Sequence, residues 1–236
     1  MKLNQAERTC DVNTPGEVRK AEIANSPTMF NILYDRLYTK KELAIVRELL
    51  SNAWDSHCRA GTTNVPIYVT FPTALEPYFM IRDYGVGLSP EAVETLYMDY
   101  GRSDKNDSND EIGGFGLGSK SPYCYTDQFS VISYKDGWAY IYQAFLQSDG
   151  SPACIQLDNY TTDEPNGLCV RVDINDTHRA HVRFREAGER LFPYLPTEPR
   201  TNIEWSNTTQ SPELSGTNYC VYEGKTLDFN NLTFVV

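Results

Sequence analysis

A carboxylate can activate water, an amide oxygen can ligate a hard cation, and a row of glycine N–H groups can hold anionic oxygens. All three occur between Glu48 and Gly118. If the residues from Thr39 to Arg59 wind as one helix at about 100° per residue, Glu48, Asn52, Asp55 and Arg59 fall within about 60° of one another. Leu43, Val46, Leu50 and, in part, Trp54 occupy the opposite side. Alone, such a stripe is what the solvent face of an amphipathic helix looks like. Further on stands Asp83-Tyr84-Gly85-Val86-Gly87-Leu88. Two glycines at spacing two let the backbone approach a ligand or take positive φ, and an Asp at a strand's end can accept from an exocyclic amine. Alone, this run is equally a tight strand-to-helix turn. The third run is Gly113-Gly114-Phe115-Gly116-Leu117-Gly118-Ser119-Lys120-Ser121. Four glycines in six positions are entropically costly as a mere loop, whereas consecutive small residues make an anion nest with Lys120 placed to meet phosphate charge.

Two familiar phosphate loops do not fit that third run. A P-loop needs Lys directly after the second glycine, and here Ser119 intervenes. A Rossmann fingerprint needs Gly-x-Gly-x-x-Gly early in a βαβ unit, and here the spacing differs and strands follow.

The elements that must position these groups can be read from period and breakers. A helix from Thr39 to Arg59 ends at Gly61 as C-cap. Strands are predicted at Ile67–Phe71 and Tyr78–Arg82. Ser89-Pro90-Glu91 then opens a second helix, with an N-cap Ser, Pro at the first helical position and an acid at the dipole's positive end, running to about Tyr100. Alternating runs at Gln128–Tyr134, Trp138–Phe145, Ala153–Leu157 and Leu168–Ile174 predict an antiparallel meander. His178–Phe192 reads as a further helix, and Pro193, Pro196 and Pro199 as a boundary. Helices packed on one face of a mostly antiparallel sheet make an α+β fold.

Taken in order, Glu-x-x-x-Asn-Ala-x-Asp, Asp-x-Gly-x-Gly and a late Gly-x-Gly-x-Gly resemble the GHKL ATPase superfamily of gyrase B, Hsp90, MutL and histidine kinases, over about residues 30 to 175. Tyr38-Thr39, Arg47–Asp55, Asp83–Leu88, Gly116–Pro122 and the continuation Tyr123–Asp127 further resemble the bacteriophage RIIA lysis-inhibitor family, whose members are longer, so the chain reads as an N-terminal portion. The resemblance implies a two-layer α/β sandwich of the Bergerat type, with a mixed, mostly antiparallel sheet covered on one face by helices and a mobile ATP lid. It implies ATP and Mg²⁺ as cofactors. Asn52 would be the metal ligand and Glu48 the catalytic base, with Asp55 and Arg59 in support. Asp83 would accept from the adenine amine, with Gly85, Gly87 and Leu88 beside the base. Gly114, Gly116, Leu117, Gly118, Ser119 and Lys120 would hold phosphates, and Ser103 and Lys105 would reach in from a lid spanning about 102 to 114. Residues 1–25 would be a strap or arm, 26–192 the ATP-binding domain, and 193–236 an extension.

Two departures stand out. Relatives often carry Gly-Thr-x-aliphatic on a late strand, where this chain has Asn166-Gly167-Leu168-Cys169-Val170, so adenine recognition leans harder on Asp83 and a water. Gyrase-like and MutL-like members also draw a lysine from a following domain, for which the residues after 190 are too few. The functions to weigh are a slow ATPase working as a conformational switch, a nucleotide-gated interaction module without useful hydrolysis, and, disfavoured for want of a phosphoacceptor helix, a kinase.

Composition bounds the rest. A net charge of -11 and a pI near 4.7 repel phosphodiester backbones and anionic lipid. Nucleic-acid binding is therefore not expected of this segment, nor is a membrane span, since no run of about 18 apolar residues occurs. Six cysteines, at 10, 58, 124, 154, 169 and 220, form no Cys-x-x-Cys pair. With no apolar signal core at the N-terminus, they read as reduced thiols of a cytosolic chain. The RIIA resemblance implies the host cell cytoplasm, at the inner-membrane periphery in a larger assembly, with a phage or host protein partner, and the likeness to several GHKL relatives adds an ATP-dependent homodimer as an expectation. Two weak alternatives complete the reading. His178-x-x-His181 has metal-like spacing without a third ligand, and Cys58 beside His57 is a poor nucleophile pair because adjacent helical side chains point apart.

Overall fold

The computed structural model of the protein describes residues 38–98, 118–175 and 177–205, together with the strands at 214–216 and 219–221. The arm, the lid and the candidate residues Ser103, Lys105, Gly114, Gly116 and Leu117 lie outside the described residues. Helix α1 spans Lys41–Ala60 and ends as its sequence predicts: Gly61 takes φ 70°, its N–H donates to Cys58 O, and Thr62 N–H donates to His57 O at 3.0 Å. Strands β1 (Tyr68–Thr70) and β2 (Tyr78–Arg82) pair antiparallel. Helix α2 is Pro90–Met98, and Ala92 N–H bonds Ser89 Oγ at 3.3 Å, so Ser89 is its cap.

A 3₁₀ segment, Gly118–Cys124, follows the glycine run; Pro122 inside it lacks an N–H donor. The meander then runs β3 (Gln128–Lys135), β4 (Trp138–Leu146), β5 (Pro152–Thr161) and β6 (Gly167–Asp173). Helix α3 (Thr177–Leu191) comes next, and after a short 3₁₀ turn strand β7 (Arg200–Thr201) pairs parallel with β1. The sheet order is β5-β4-β3-β6-β2-β1-β7. All its pairings are antiparallel except β1–β7, so the sheet is mixed and mostly antiparallel. Strands β8 (Leu214–Gly216) and β9 (Tyr219–Val221) form a separate two-stranded pair.

One sheet face carries Phe79, Ile81, Phe129, Val131, Tyr142, Ala144, Val170 and Val172, which pack with Ile45, Val46, Leu49, Leu50 and Ala53 of α1 and Ala180, Phe184 and Ala187 of α3. This is the two-layer sandwich, with apolar period 2 meeting apolar period 3.6. The unit runs on past the proline cluster. Trp205 stacks on Phe71 with ring centroids 5.5 Å apart, and the Asn202 side chain bonds both the N–H and the carbonyl of Phe71. The boundary read after 192 therefore falls inside the packed body, because the prolines turn the chain back to the β1 edge. At the other end β5 is an edge strand whose Ile155 and Leu157 are more than half exposed.

Candidate functional site

The polar stripe of α1 is an inner face, not a solvent face. Asp55 is 1% exposed, while Glu48 and Asn52 are half-buried and Arg59 alone of the four is exposed. What covers the stripe is the start of the 3₁₀ segment: a Cβ built on Gly118 would come 2.6 Å from Glu48 Oε2 and 3.5 Å from Asn52 Nδ2. Any side chain at 118 would make the Glu48 carboxylate shift, whereas its approach to Asn52 is ordinary contact. Arg47 engages the other oxygen of Glu48, with Nη2 at 2.5 Å and Nε at 3.1 Å from Oε1. The ionisation of the Tyr38 phenol is suppressed by burial and by the Glu48 charge, with the Arg47 charge opposing.

The Asp83–Leu88 loop is gripped from two sides. From α1, His57 Nε2 accepts Tyr84 N–H at 2.7 Å and Ser56 Oγ accepts Val86 N–H at 3.2 Å. From β3, Ser133 Oγ accepts Leu88 N–H at 2.9 Å and donates to Leu88 O at 2.7 Å, and Lys135 Nζ donates to Val86 O at 3.1 Å. The glycines permit this grip: a Cβ on Gly85 would meet the Ser56 carbonyl oxygen at 2.6 Å, and one on Gly87, whose φ is +63°, would strike Tyr134 O. The room that these glycines leave on the Cβ side is thus filled by α1 and β3 themselves. The expectation that it lies open beside a base does not hold on that side.

Asp83 is 4% exposed, and both its oxygens are engaged: Oδ1 accepts Gly85 N–H at 2.9 Å, and Oδ2 accepts Leu168 N–H at 3.1 Å. A carboxylate offers about four lone-pair sites, so capacity remains for another donor. Burial pushes its pKa up to about 6, eased by the Gly85 N–H, the Arg82 guanidinium, the Ser56 hydroxyl and the Leu168 N–H. Arg82 itself is buried. It donates from Nη1 to Asp83 O and from Nη2 to Pro165 O at 2.6 Å, while lying over the rings of Tyr84 and Tyr134. Leu168 serves Asp83 through its backbone N–H.

Lys120 differs from expectation. Its side chain is buried, 3% exposed, and Nζ donates to Leu96 O at 2.6 Å, which caps the carbonyl end of α2. The hydroxyls of Ser119 and Ser121 are buried with no hydrogen-bond partner among the described residues. Glu48, Asn52 and Gly118 are therefore brought together, and Asp83, Gly85, Gly87 and Leu88 share one braced loop. Sequence reasoning passed over Ser56, Ser133 and the brace formed by His57. A signal for His57 existed, because it continues the apolar positions Val46, Leu50 and Ala53 and a polar residue there needs a partner. Ser133 carries no such signal, since its contact depends on a strand pairing far along the chain.

His57 is wholly buried, and its Nε2 accepts the Tyr84 N–H. Of the His178-x-x-His181 pair, the side chain of His178 lies outside the described residues. The ring of His181 bonds Pro72 O through Nδ1, and among the described residues no three His, Cys, Asp or Glu side chains group to hold a metal. Among the described residues, Cys58, Cys124, Cys154 and Cys169 are outside any disulfide. Among the described residues no helix is long and apolar enough to cross a membrane.

The two-layer sandwich, with its mixed, mostly antiparallel sheet, is the fold of an ATPase-type nucleotide domain, and comparison with known proteins agrees. Residues 38–166 match the family described as histidine kinase-, DNA gyrase B- and HSP90-like ATPase, which is more than half of the chain, and the chain belongs to that family. It is similar to the chaperone protein HtpG of Rickettsia typhi (strain ATCC VR-144 / Wilmington), 29% identical over 154 residues that cover 56% of this chain and 24% of HtpG. HtpG of Rickettsia prowazekii (strain Madrid E) matches with the same identity and coverage. The chain spans about a quarter of the length of these relatives.

Proposed function

We propose that this chain binds Mg·ATP between α1, the 83–88 loop and the glycine run, and hydrolyses it slowly as a conformational switch. The observation that carries the reading is the backbone of Gly118 resting against Glu48 and Asn52. That contact sets a general-base candidate, a hard-cation ligand and the first N–H groups of a phosphate nest side by side. The Asn52 carboxamide oxygen would hold magnesium, which supplies charge neutralisation on the phosphates when bound. Glu48 Oε2, on the Gly118 side, is the atom that takes the proton from water. Gly118 and Ser119 present their N–H groups to phosphate oxygens, and the hydroxyls of Ser119 and Ser121, unpartnered among the described residues, fit a ligand rich in acceptors. Asp83 accepts from the exocyclic amine of adenine, and guanine, with a carbonyl there, leaves the buried carboxylate unmatched.

A second reading has its own support: Glu48 Oε1 is already paired with Arg47, as in a nucleotide-gated interaction module that does not turn over. Phosphate release by the purified chain, wild type beside Glu48→Ala, separates the two. A wild-type rate that Glu48→Ala lowers by about a hundredfold or more, with ATP affinity kept, supports the ATPase. Equal and negligible rates with intact binding support the module. Asp83→Asn should remove most nucleotide affinity in either case, and unchanged affinity would refute the adenine assignment.

The finer role follows the motif resemblance to RIIA proteins through Gly116–Pro122 and Tyr123–Asp127. It is action inside an infected bacterium on lysis timing or host exclusion, through a phage or host protein partner. The likeness to several GHKL relatives adds an ATP-dependent homodimer. Sedimentation with and without a non-hydrolysable ATP analogue tests the homodimer.

A further inference from the structure

The geometry points to His57 as a positioning residue for base recognition: it braces the Asp83–Tyr84 peptide so that the Asp83 carboxylate faces the base in one fixed orientation. The inference rests on the reading of Asp83 as the base-recognising carboxylate. Asp83 and Gly85 form an Asx-turn, with Oδ1 accepting the N–H two residues on at 2.9 Å. The peptide unit between Asp83 and Tyr84 lies inside that turn, so its orientation sets where the carboxylate points. Both ends of the unit are held. The carbonyl, Asp83 O, accepts from Arg82, and the N–H of Tyr84 donates to His57 Nε2 at 2.7 Å. The next carbonyl, Tyr84 O, is taken by Thr62 Oγ1 at 3.0 Å.

His57 sits on α1 about two and a half turns after the stripe residue Glu48 and is 0% exposed. Because Nε2 accepts, the ring proton is on Nδ1 and the imidazole is neutral. Burial, aided by the nearby Arg82 guanidinium, holds its pKa below the usual histidine range and keeps that acceptor available at neutral pH. An apolar residue at 57 would leave the Tyr84 N–H buried without a partner and free the peptide to rotate. The same helix would then bear Glu48 and Asn52 toward the phosphates and, a turn and a half beyond Asn52, His57 toward the base-binding loop.

The test compares dissociation constants for ATP and GTP in wild type, His57→Phe, His57→Gln and Asp83→Ala. Asp83→Ala decides the underlying reading alone: if it leaves ATP affinity intact, the base assignment fails, whatever His57 does. With that control weakened as expected, His57→Phe should raise the ATP constant about ten- to a hundredfold and collapse the preference for ATP over GTP. His57→Gln, whose terminal oxygen reaches as far from Cβ as Nε2, should restore both. A Phe variant that melts lower yet keeps the wild-type ATP-to-GTP ratio overturns the inference, since a merely structural histidine would behave so. Should the Phe variant fail to fold, the imidazole ¹⁵N spectrum of the wild-type chain decides. An Nδ1–H tautomer with Nε2 as acceptor is expected, and an Nε2–H ring overturns the inference.

Discussion

One added methyl group separates function from stability at Gly118. Its Cβ would meet Glu48 Oε2 at 2.6 Å, the far end of a side chain that can swing, and Asn52 Nδ2 only at 3.5 Å. Gly118→Ala should therefore cost about 1 kcal/mol or less in urea unfolding, yet push Glu48 out of line and cut phosphate release by about tenfold or more. Full activity in a normally stable Gly118→Ala protein would show that the contact between Gly118 and Glu48 has no part in the chemistry. At this scale the sequence was legible where spacing alone fixes proximity: Glu48 and Asn52 share a helix face whatever the rest of the chain does. It was illegible where partners meet through tertiary packing. The pairing of Glu48 with Arg47 is invisible to a helical wheel, which sets adjacent residues about 100° apart, although long side chains can curl together. Leu168 reaches Asp83 through its N–H, an atom that every residue except proline carries.

Among the elements, the 3₁₀ segment Gly118–Cys124 bridges two helices. Its first residue touches α1, and its third, Lys120, donates to Leu96 O near the end of α2. Lys120→Met keeps the buried stem and removes the ammonium, leaving a carbonyl at a helix end without that donor. Unfolding free energy should fall by about 1–3 kcal/mol, with nucleotide affinity changed by less than about threefold. A loss of affinity beyond tenfold at unchanged stability would return Lys120 to the phosphates, where its place in the glycine run first put it. The elements themselves were largely readable. Gly61, Ser89 and Pro90 mark helix ends by backbone chemistry that acts locally, and the period-2 runs of β3, β4 and β6 need no partner to be seen. The extent of β5 was under-read, because its outer half, from Ile155 to Thr161, is exposed on both sides and shows no clean alternation. The two-residue β7 was missed as a sheet strand, since its pairing with β1 depends on where the prolines send the chain.

Over the whole molecule two buried groups titrate against each other. Asp83, raised from 3.8 to about 6, binds its proton more tightly in the folded state than in the unfolded chain. Its favourable contribution is fully present below about 4 and is lost as pH rises through about 6, a swing of about 3 kcal/mol. His57, held below 6.5, acts in the opposite sense, stabilising above 6.5 and losing that contribution as pH falls through its folded value. Stability alone is thus a blunt probe, and ligand affinity is sharper. Adenosine, which has no phosphate to titrate, should bind progressively more weakly below pH 6, approaching about tenfold per pH unit as Asp83 gains its proton. Calorimetric titration between pH 5 and 8 checks this, and a flat profile would remove the ionised carboxylate from recognition. The sheet order carries a last consequence. Strand β6 lies between β2 and β3, and Leu168 bonds an aspartate 85 positions earlier. On a ribosome, the wall around Asp83 must wait as an open edge until the residues near 170 have emerged. Closing so long a loop is slow, and over that interval an exposed β2 is available to any passing strand or chaperone.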